Sequence, residues 1–185
     1  KFGFGKITGI DMPNEAEGFL PTPEWKEAKM KTPWLLGDTY NVSIGQGDLL
    51  VSPLQLLDYV VAIANGGTVY RPFLNKDSTP QTLADLTEFA LEIKAVQKGM
   101  RQAVTSPLGT AYKLNDLAFP SCAKTGSAQV MNNAQENALF VGYAPCDKPE
   151  IAILILIENS VEGSLNAVPV AKDVLNWYYG NRIKK

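Results

Sequence analysis

The sequence predicts an α+β fold, an antiparallel sheet with helices packed on its faces, and three observations predict it. Apolar residues recur at helical spacing, with capping signals, in two segments between Ser52 and Val104. From Cys122 onward the period shortens to that of strands and ends in the aliphatic run Ile151 to Ile157. A last helical pattern opens at Pro169. Helices therefore come first, a hairpin-linked sheet follows, and a final helix returns to pack on it.

Residues 1–50 are rich in glycine, proline and turn chemistry. Met12-Pro13-Asn14, Gly18-Phe19-Leu20-Pro21 and Thr32-Pro33-Trp34 interrupt any long periodicity and predict a looped, mostly irregular segment. Ser52-Pro53-Leu54-Gln55 then combines a hydroxyl N-cap, proline at the first helical position and Gln at the third, so a helix begins there. Leu54, Leu57, Val60, Val61 and Ala64 form its apolar face, and Asn65-Gly66-Gly67 supplies a left-handed stop. Val69 to Pro72 reads as a short extended stretch, and Asp77-Ser78-Thr79-Pro80 as a polar connection. A second helix carries Phe89, Ile93, Val96, Met100 and Val104 on one face and ends before Pro107. Three strands follow, around Ala128 to Val130, Leu139 to Val141 and Ile151 to Ile157. The third is apolar on both faces, which predicts a central strand. The last helix is expected to bury Val170, Val174, Trp177 and Tyr178 and to close at Gly180.

Composition narrows the function classes. A chain of 185 residues with 45% hydrophobic content and a mean hydropathy of −0.06 suits one globular domain, and its longest aliphatic run is far too short to cross a bilayer. The net charge of −2 gives no electrostatic footprint for nucleic acid or anionic lipid. There is no histidine, which excludes a Ser-His-Asp or Cys-His catalytic group and the zinc sites that need imidazole. Two cysteines, Cys122 and Cys146, are too few for an all-cysteine zinc site, so no metal and no cofactor is expected. Chemistry must rest on Lys, Ser, Thr, Tyr, acids or backbone amides. Lys1-Phe2-Gly3-Phe4-Gly5 has neither an initiator Met nor a signal-peptide pattern, and reads as a cut from something longer.

Lys124-Thr125-Gly126-Ser127-Ala128-Gln129 concentrates a cation, two hydroxyls and a glycine on a predicted edge strand. Alternation sends Lys124 and Gly126 to one face and Thr125 and Ser127 to the other, while the twist of an edge strand can bring both hydroxyls to a cleft rim. A glycine there lets a substrate backbone pair as an added strand. The plainer reading is a polar edge strand whose lysine discourages aggregation.

The surrounding sequence decides between them. The segment resembles the K-T-G-[ST]-A-Q box of penicillin-binding proteins. Ser43-Ile44-Gly45-Gln46-Gly47, Ser52-Pro53-Leu54-Gln55-Leu56 and Ala64-Asn65-Gly66-Gly67 resemble a run found in class B members. Thr8-Gly9-Ile10-Asp11 with Glu17-Gly18, Gly109-Thr110-Ala111, Phe140 to Pro145 and Ala167 to Ala171 extend the likeness in order along nearly the whole chain. The opening and Trp34 to Asn41 are most similar to the penicillin-binding protein 2 branch, the elongation transpeptidases.

The resemblance implies a transpeptidase and serine beta-lactamase-like fold and acyl transfer. A serine attacks the penultimate D-Ala carbonyl of a peptidoglycan stem peptide, expels the terminal D-Ala, and an amine of a neighbouring stem peptide resolves the acyl-enzyme into a cross-link. Beta-lactam antibiotics are implied as ligands, a glycan polymerase as partner, and an extracytoplasmic site on a protein anchored in the bacterial cytoplasmic membrane, with the anchor outside this chain. By the same mapping Lys124 presents charge to the substrate carboxylate and to the serine of an S-x-N motif. Thr125 and Ser127 hydroxyls bind that carboxylate, Gly126 allows close approach, and the Ser127 N–H donates half of an oxyanion hole. Charge-assisted hydrogen bonds contribute ~1.5 to 3 kcal/mol and an oxyanion donor about 2.7 to 4 kcal/mol.

The family order is S-x-x-K, S-x-N, K-T-G, and neither earlier motif precedes Lys124 in a credible setting. Ser121-Cys122-Ala123-Lys124 spells the first, but a serine and lysine three apart on a strand face opposite ways. Ser164-Leu165-Asn166 spells the second, but it follows the K-T-G box. Residues 1–185 are thus expected to be the C-terminal portion of one transpeptidase domain, inactive alone, whose missing upstream strands pair beside Ile151 to Ile157. Ala123 stands where glycine is usual, Ser127 where threonine is commoner, and Asn137 where many members carry histidine. Asp11, Glu17 and Gln46 match family positions but are read as structural hydrogen-bonding residues.

If a loop near Asn133 and Ala134 joins an antiparallel hairpin, Cys122 pairs with residue 145 or 146 and so faces Cys146. An oxidising periplasm permits a bond, though the reading leans to two separate thiols because register slips easily. Two other functions stand beside the transpeptidase: a serine beta-lactamase or D,D-carboxypeptidase sharing the box, and a non-catalytic module that senses beta-lactams or assists wall assembly.

Overall fold

The computed structural model describes residues 1–130, 135–160 and 166–184. Along the chain run α1 (Pro23–Met30), α2 (Leu36–Ser43), α3 (Pro53–Ala64), β1 (Thr68–Tyr70), β2 (Thr82–Asp85), α4 (Ala90–Thr105), β3 (Cys122–Val130), β4 (Gln135–Ala144), β5 (Ile151–Ser160) and α5 (Ala167–Tyr178). The main sheet is antiparallel in the order β3-β4-β5, and β1 and β2 form a separate small hairpin. This is the α+β fold that the sequence predicts.

Alternation along β4 explains the layering. Ala138, Phe140 and Ala144 point to one face, where Leu114, Phe119 and the α5 residues Ala167, Val168, Ala171 and Leu175 close over them. Val141 and Tyr143 point to the other, against Val60 and Ile63 of α3 and Ile93 and Met100 of α4. Phe140 is fully buried and Tyr143 nearly so, and burying one such side chain is worth about 1.5–3 kcal/mol. The sheet is therefore covered on both sides, and β3 is held as an edge strand with its residues divided between the two layers.

α3 starts where its capping signals place it. Ser52 Oγ accepts from Gln55 N at 3.1 Å, Gln55 Oε1 accepts from Ser52 N at 2.9 Å, and Gly66 and Gly67 end the helix at φ of 87° and 125°. Its buried face differs from the expected one. Gln55, Val60, Ala62 and Ile63 are buried, and the buried amide of Gln55 donates to the carbonyls of Lys6 at 2.6 Å and Glu17 at 2.8 Å. A helix that must hold an irregular N-terminal segment turns a polar side chain inward to satisfy that segment's backbone.

Asp58 shares this layer. Burial, reinforced by the nearby charge of Glu15, raises its carboxyl from the usual 3.8 to about 6. The folded state therefore holds a proton that the unfolded chain releases, and stability falls as pH rises from about 4 to beyond 6. Asp58→Asn is expected to raise Tm at pH 7.5 by about 2–4 °C, on the order of 1 kcal/mol after solvent screening. Thermal melts across pH test this, because the advantage must shrink toward pH 4.

Other expectations need correction. Residues 1–50 contain two short helices, α1 and α2. α1 begins at a hydroxyl N-cap, Thr22 Oγ1 accepting from Trp25 N at 3.2 Å, with Pro23 in its first turn, and it ends at Lys31 in the left-handed region. In α4, Ile93, Met100 and Val104 are buried as expected, but Val96 is exposed. In α5 the inner stripe is Ala167, Val168, Ala171 and Leu175, whereas Val170, Val174 and Trp177 are 42, 40 and 58% exposed. The sheet face beneath carries bulky Phe140 and Ile153, and the inner stripe meets it with Ala167 and Ala171 beside Val168 and Leu175. Within this chain β4 is the central strand, and β5 has no described strand on its far edge. β2, which follows the polar connection at Asp77 to Pro80, carries no strand signal in the sequence and pairs with β1.

The hairpin register is also displaced. Cys122 pairs with Tyr143, and Val130 with Gln135; Asn133 and Ala134 lie outside the described residues. Cys146 nevertheless reaches Cys122, because its N–H donates to Pro120 O at 3.0 Å beyond the end of β4, and the two form a disulfide with a Cα separation of 5.5 Å. The predicted proximity holds, the register that suggested it does not, and the lean toward separate thiols is overturned.

Candidate functional site

β3 carries Lys124 and Gly126 toward α3 and α4, and Thr125 and Ser127 toward the opposite layer, as alternation requires. Lys124 is exposed. It stands at a cleft of about 740 Å³ whose walls include Tyr59, Val60 and Ile63 of α3, Val96 and Met100 of α4, and Leu139 and Val141 of β4. Thr110, Thr125 and Gly126 share the lining. An exposed Val96 thus has a place: it is part of an apolar wall facing Lys124.

The two hydroxyls of the box part company. Thr125 is 4% exposed, and its Oγ1 lies 2.7 Å from Thr110 Oγ1. Two hydroxyls that share one hydrogen bond keep one O–H to give, so the pair can present a single donor to an anion at the cleft. Ser127 is exposed, but it does not line this cleft. Thr110 was not among the predicted site residues, and only the Gly109-Thr110-Ala111 match pointed toward it. Its position is fixed by close approach: a Cβ on Gly109 would lie 2.2 Å from the carbonyl oxygen of Ala103 in α4, so the turn preceding Thr110 has room for glycine alone. Ala111 N donates to that same carbonyl at 3.1 Å.

At Gly126 the situation is the reverse. A Cβ there would meet only Leu139 Cβ at 3.7 Å, an ordinary contact. The fold has room for a side chain at 126, and its absence keeps the cleft floor open.

Gln46, which the sequence presents as a structural hydrogen-bonding residue, also reaches the site strand. α2 ends at Ser43, and Gly45 and Gly47, both at φ near 77°, turn the chain so that the Gln46 amide donates to the Ser127 carbonyl at 3.3 Å. Asp11 behaves as the structural residue expected, accepting from Leu74 N at 2.6 Å and Asn75 N at 2.9 Å, and these bonds hold its carboxyl below the usual range.

Neither decoy motif gains support. Ser121 lies just before β3 and is buried at 1% exposure, whereas Lys124 is exposed and its ammonium bonds to the Thr125 carbonyl. Ser164 and Leu165 lie outside the described residues, and Asn166 donates to Ser160 Oγ at 2.8 Å at the start of α5. No group of acids and cysteines able to hold a metal occurs among the described residues, and none of their helices is long and apolar enough to cross a membrane.

Residues 1–176 match the penicillin binding protein transpeptidase domain. The chain belongs to the penicillin-binding protein transpeptidase family. The peptidoglycan D,D-transpeptidase MrdA of Acinetobacter baumannii is 34% identical over 206 residues, covering 100% of this chain and 30% of that protein. The solved structure of penicillin-binding protein 2 from Helicobacter pylori superposes with a TM-score of 0.88 at 32% identity, over 97% of this chain and 34% of that one. The same protein in complex with MreC gives a TM-score of 0.85 over 98% of this chain. A structure described as the coordination of polymerization and crosslinking by a peptidoglycan synthase complex matches with a TM-score of 0.76 at 28% identity, over 98% of this chain and 32% of that one. This chain thus spans about a third of the length of the relatives it matches.

Proposed function

We propose that this chain is the substrate-binding wall of a serine D,D-transpeptidase that cross-links peptidoglycan stem peptides in cell-wall elongation. Residues 1–185 form the C-terminal portion of its transpeptidase domain. One observation carries the reading: an exposed ammonium, Lys124, stands beside an apolar cleft with a hydroxyl pair, Thr110 and Thr125, next to it and an open floor at Gly126. Such a site suits a ligand with an anionic end and a flat peptide-like body.

In the proposed chemistry Lys124 and the hydroxyl pair hold the terminal carboxylate of a D-Ala-D-Ala peptide, or the carboxylate of a beta-lactam. The ligand lies along β3, and the Ser127 N–H receives the carbonyl oxygen as it becomes negative. The attacking serine and its lysine belong to the upstream part of the same domain. That part would also cover the open edge of β5 and the stripe of Val170, Val174 and Trp177, both apolar enough to invite self-association if left exposed. The active site would lie outside the cytoplasmic membrane, with a glycan polymerase supplying the strands to be linked. The naming of relatives for transpeptidation favours this over the lactamase and sensor readings.

Labelling with a fluorescent penicillin tests the proposal. The full-length protein is expected to form a stable covalent adduct, and residues 1–185 alone to form none. Rapid release of hydrolysed drug from the full-length protein would overturn the transpeptidase assignment in favour of a lactamase, and a label on the isolated chain would refute the claim that its nucleophile lies elsewhere.

A further inference from the structure

The free edge of β3 is already occupied by this chain's own side chains. In an antiparallel strand, alternate carbonyls point to the same edge. The Ser127 carbonyl accepts from Gln46 Nε2 at 3.3 Å, and the Thr125 carbonyl, two residues earlier, accepts from Lys124 Nζ. Neither donor comes from β4, so both carbonyls face the side that lacks a described strand. The strand that must accept an added peptide backbone therefore has two successive acceptors capped by side chains that imitate the N–H groups of an incoming strand.

We propose that Gln46 is a specificity-determining gate for the site, an inference that rests on the functional reading above. Its amide occupies the Ser127 carbonyl until a ligand supplies an N–H at the same place. A ligand with an amide N–H there displaces Gln46 and recovers the bond, whereas one lacking it leaves Gln46 seated and gains nothing from the strand edge. Lys124 leaves the Thr125 carbonyl in the same event, because a ligand carboxylate is the stronger acceptor for an ammonium. The loop is built for this exchange: Gly45 and Gly47 on either side of Gln46 are both left-handed, and Gln46 N donates to Asn41 O at 2.9 Å, so the backbone stays anchored while the side chain swings.

The test is the acylation rate of the full-length protein carrying Gln46→Met, which keeps the side-chain length and removes the donor. Two probes separate the possibilities: benzylpenicillin, which carries an exocyclic amide, and a carbapenem, which carries a hydroxyethyl group instead. Acylation by benzylpenicillin is expected to rise about two- to tenfold, the range of one net hydrogen bond, with the carbapenem rate unchanged and Tm within about 1 °C. An unchanged or slower benzylpenicillin rate overturns the gate, and so does an equal rise with both probes, which would make Gln46 a simple obstruction. If Gln46→Met does not fold, Gln46→Asn withdraws the same donor by one methylene and must give the same selective rise. Absence of any acylation in the wild-type protein refutes the functional reading itself, whereas normal wild-type acylation with no selective change removes only the gate.

Discussion

Replacing Lys124 by alanine in the full-length protein is expected to slow acylation by a fluorescent penicillin between about 10- and 150-fold, the equivalent of one charge-assisted hydrogen bond of 1.5 to 3 kcal/mol. The fold should scarcely notice. Lys124 is exposed, its only described bond runs to the neighbouring Thr125 carbonyl, and its β-carbon sits on a strand held by β4 in unbroken register from Cys122 to Val130. Surface substitutions of this kind shift stability by less than about 0.5 kcal/mol. A thermal melt and a labelling time course on the same preparation therefore separate function from folding. Lys124→Arg is informative beside it. Arginine retains the charge, but its planar fork needs more room at the Thr110–Thr125 pair, so partial rather than full recovery is expected. Acylation that proceeds at the wild-type rate in Lys124→Ala would end the assignment of the box as the binding wall, whatever the family membership of the chain.

The parts of this molecule that the sequence made legible are those written in local pattern. Ser52, Pro53 and Gln55 place the start of α3, the run from Ile151 to Ile157 places β5, and Lys124 to Ser127 name the site strand. Each is decided by residues within a few positions of one another. What was missed depends on partners far away. α1 and α2 bury no residue, so neither carries the periodicity that marks a packed helix. Their evidence lay only in caps such as Thr22. The inward face of α5 is not legible because both of its stripes are apolar, and only the partners across the interface, Phe140 and Ile153 among them, distinguish the two. Thr110 and Gln46 reach the site through contacts of 15 and 81 residues' separation, and no local spacing encodes those. Gln46 was correctly read as making a structural hydrogen bond, yet its acceptor turned out to be the edge on which the site depends.

Loss of the Cys122–Cys146 disulfide should give the largest change in stability. The bridge closes a loop of sequence separation 24, and the chain-entropy relation assigns such a loop about 3 to 4 kcal/mol. For a domain of this size that is a fall in Tm of roughly 7 to 14 °C. The double variant Cys122→Ala, Cys146→Ala is the cleaner test, since Cys122 is 2% exposed among Val60, Ile63 and Tyr143 and a serine there would bury a hydroxyl. Acylation at 20 °C should stay within about threefold of wild type, because Lys124 is held by β4 and Thr125 by Thr110 rather than by the bridge. The same bond bears on where the protein works. Thiols are kept reduced in the cytosol, whereas a disulfide persists in an oxidising compartment. Exported full-length protein is therefore expected to contain no free thiol from these two residues, and added reductant to lower its melting temperature to that of the double variant. A melt insensitive to reductant, with both thiols reactive in the exported protein, would remove the bridge and with it this support for an extracytoplasmic site.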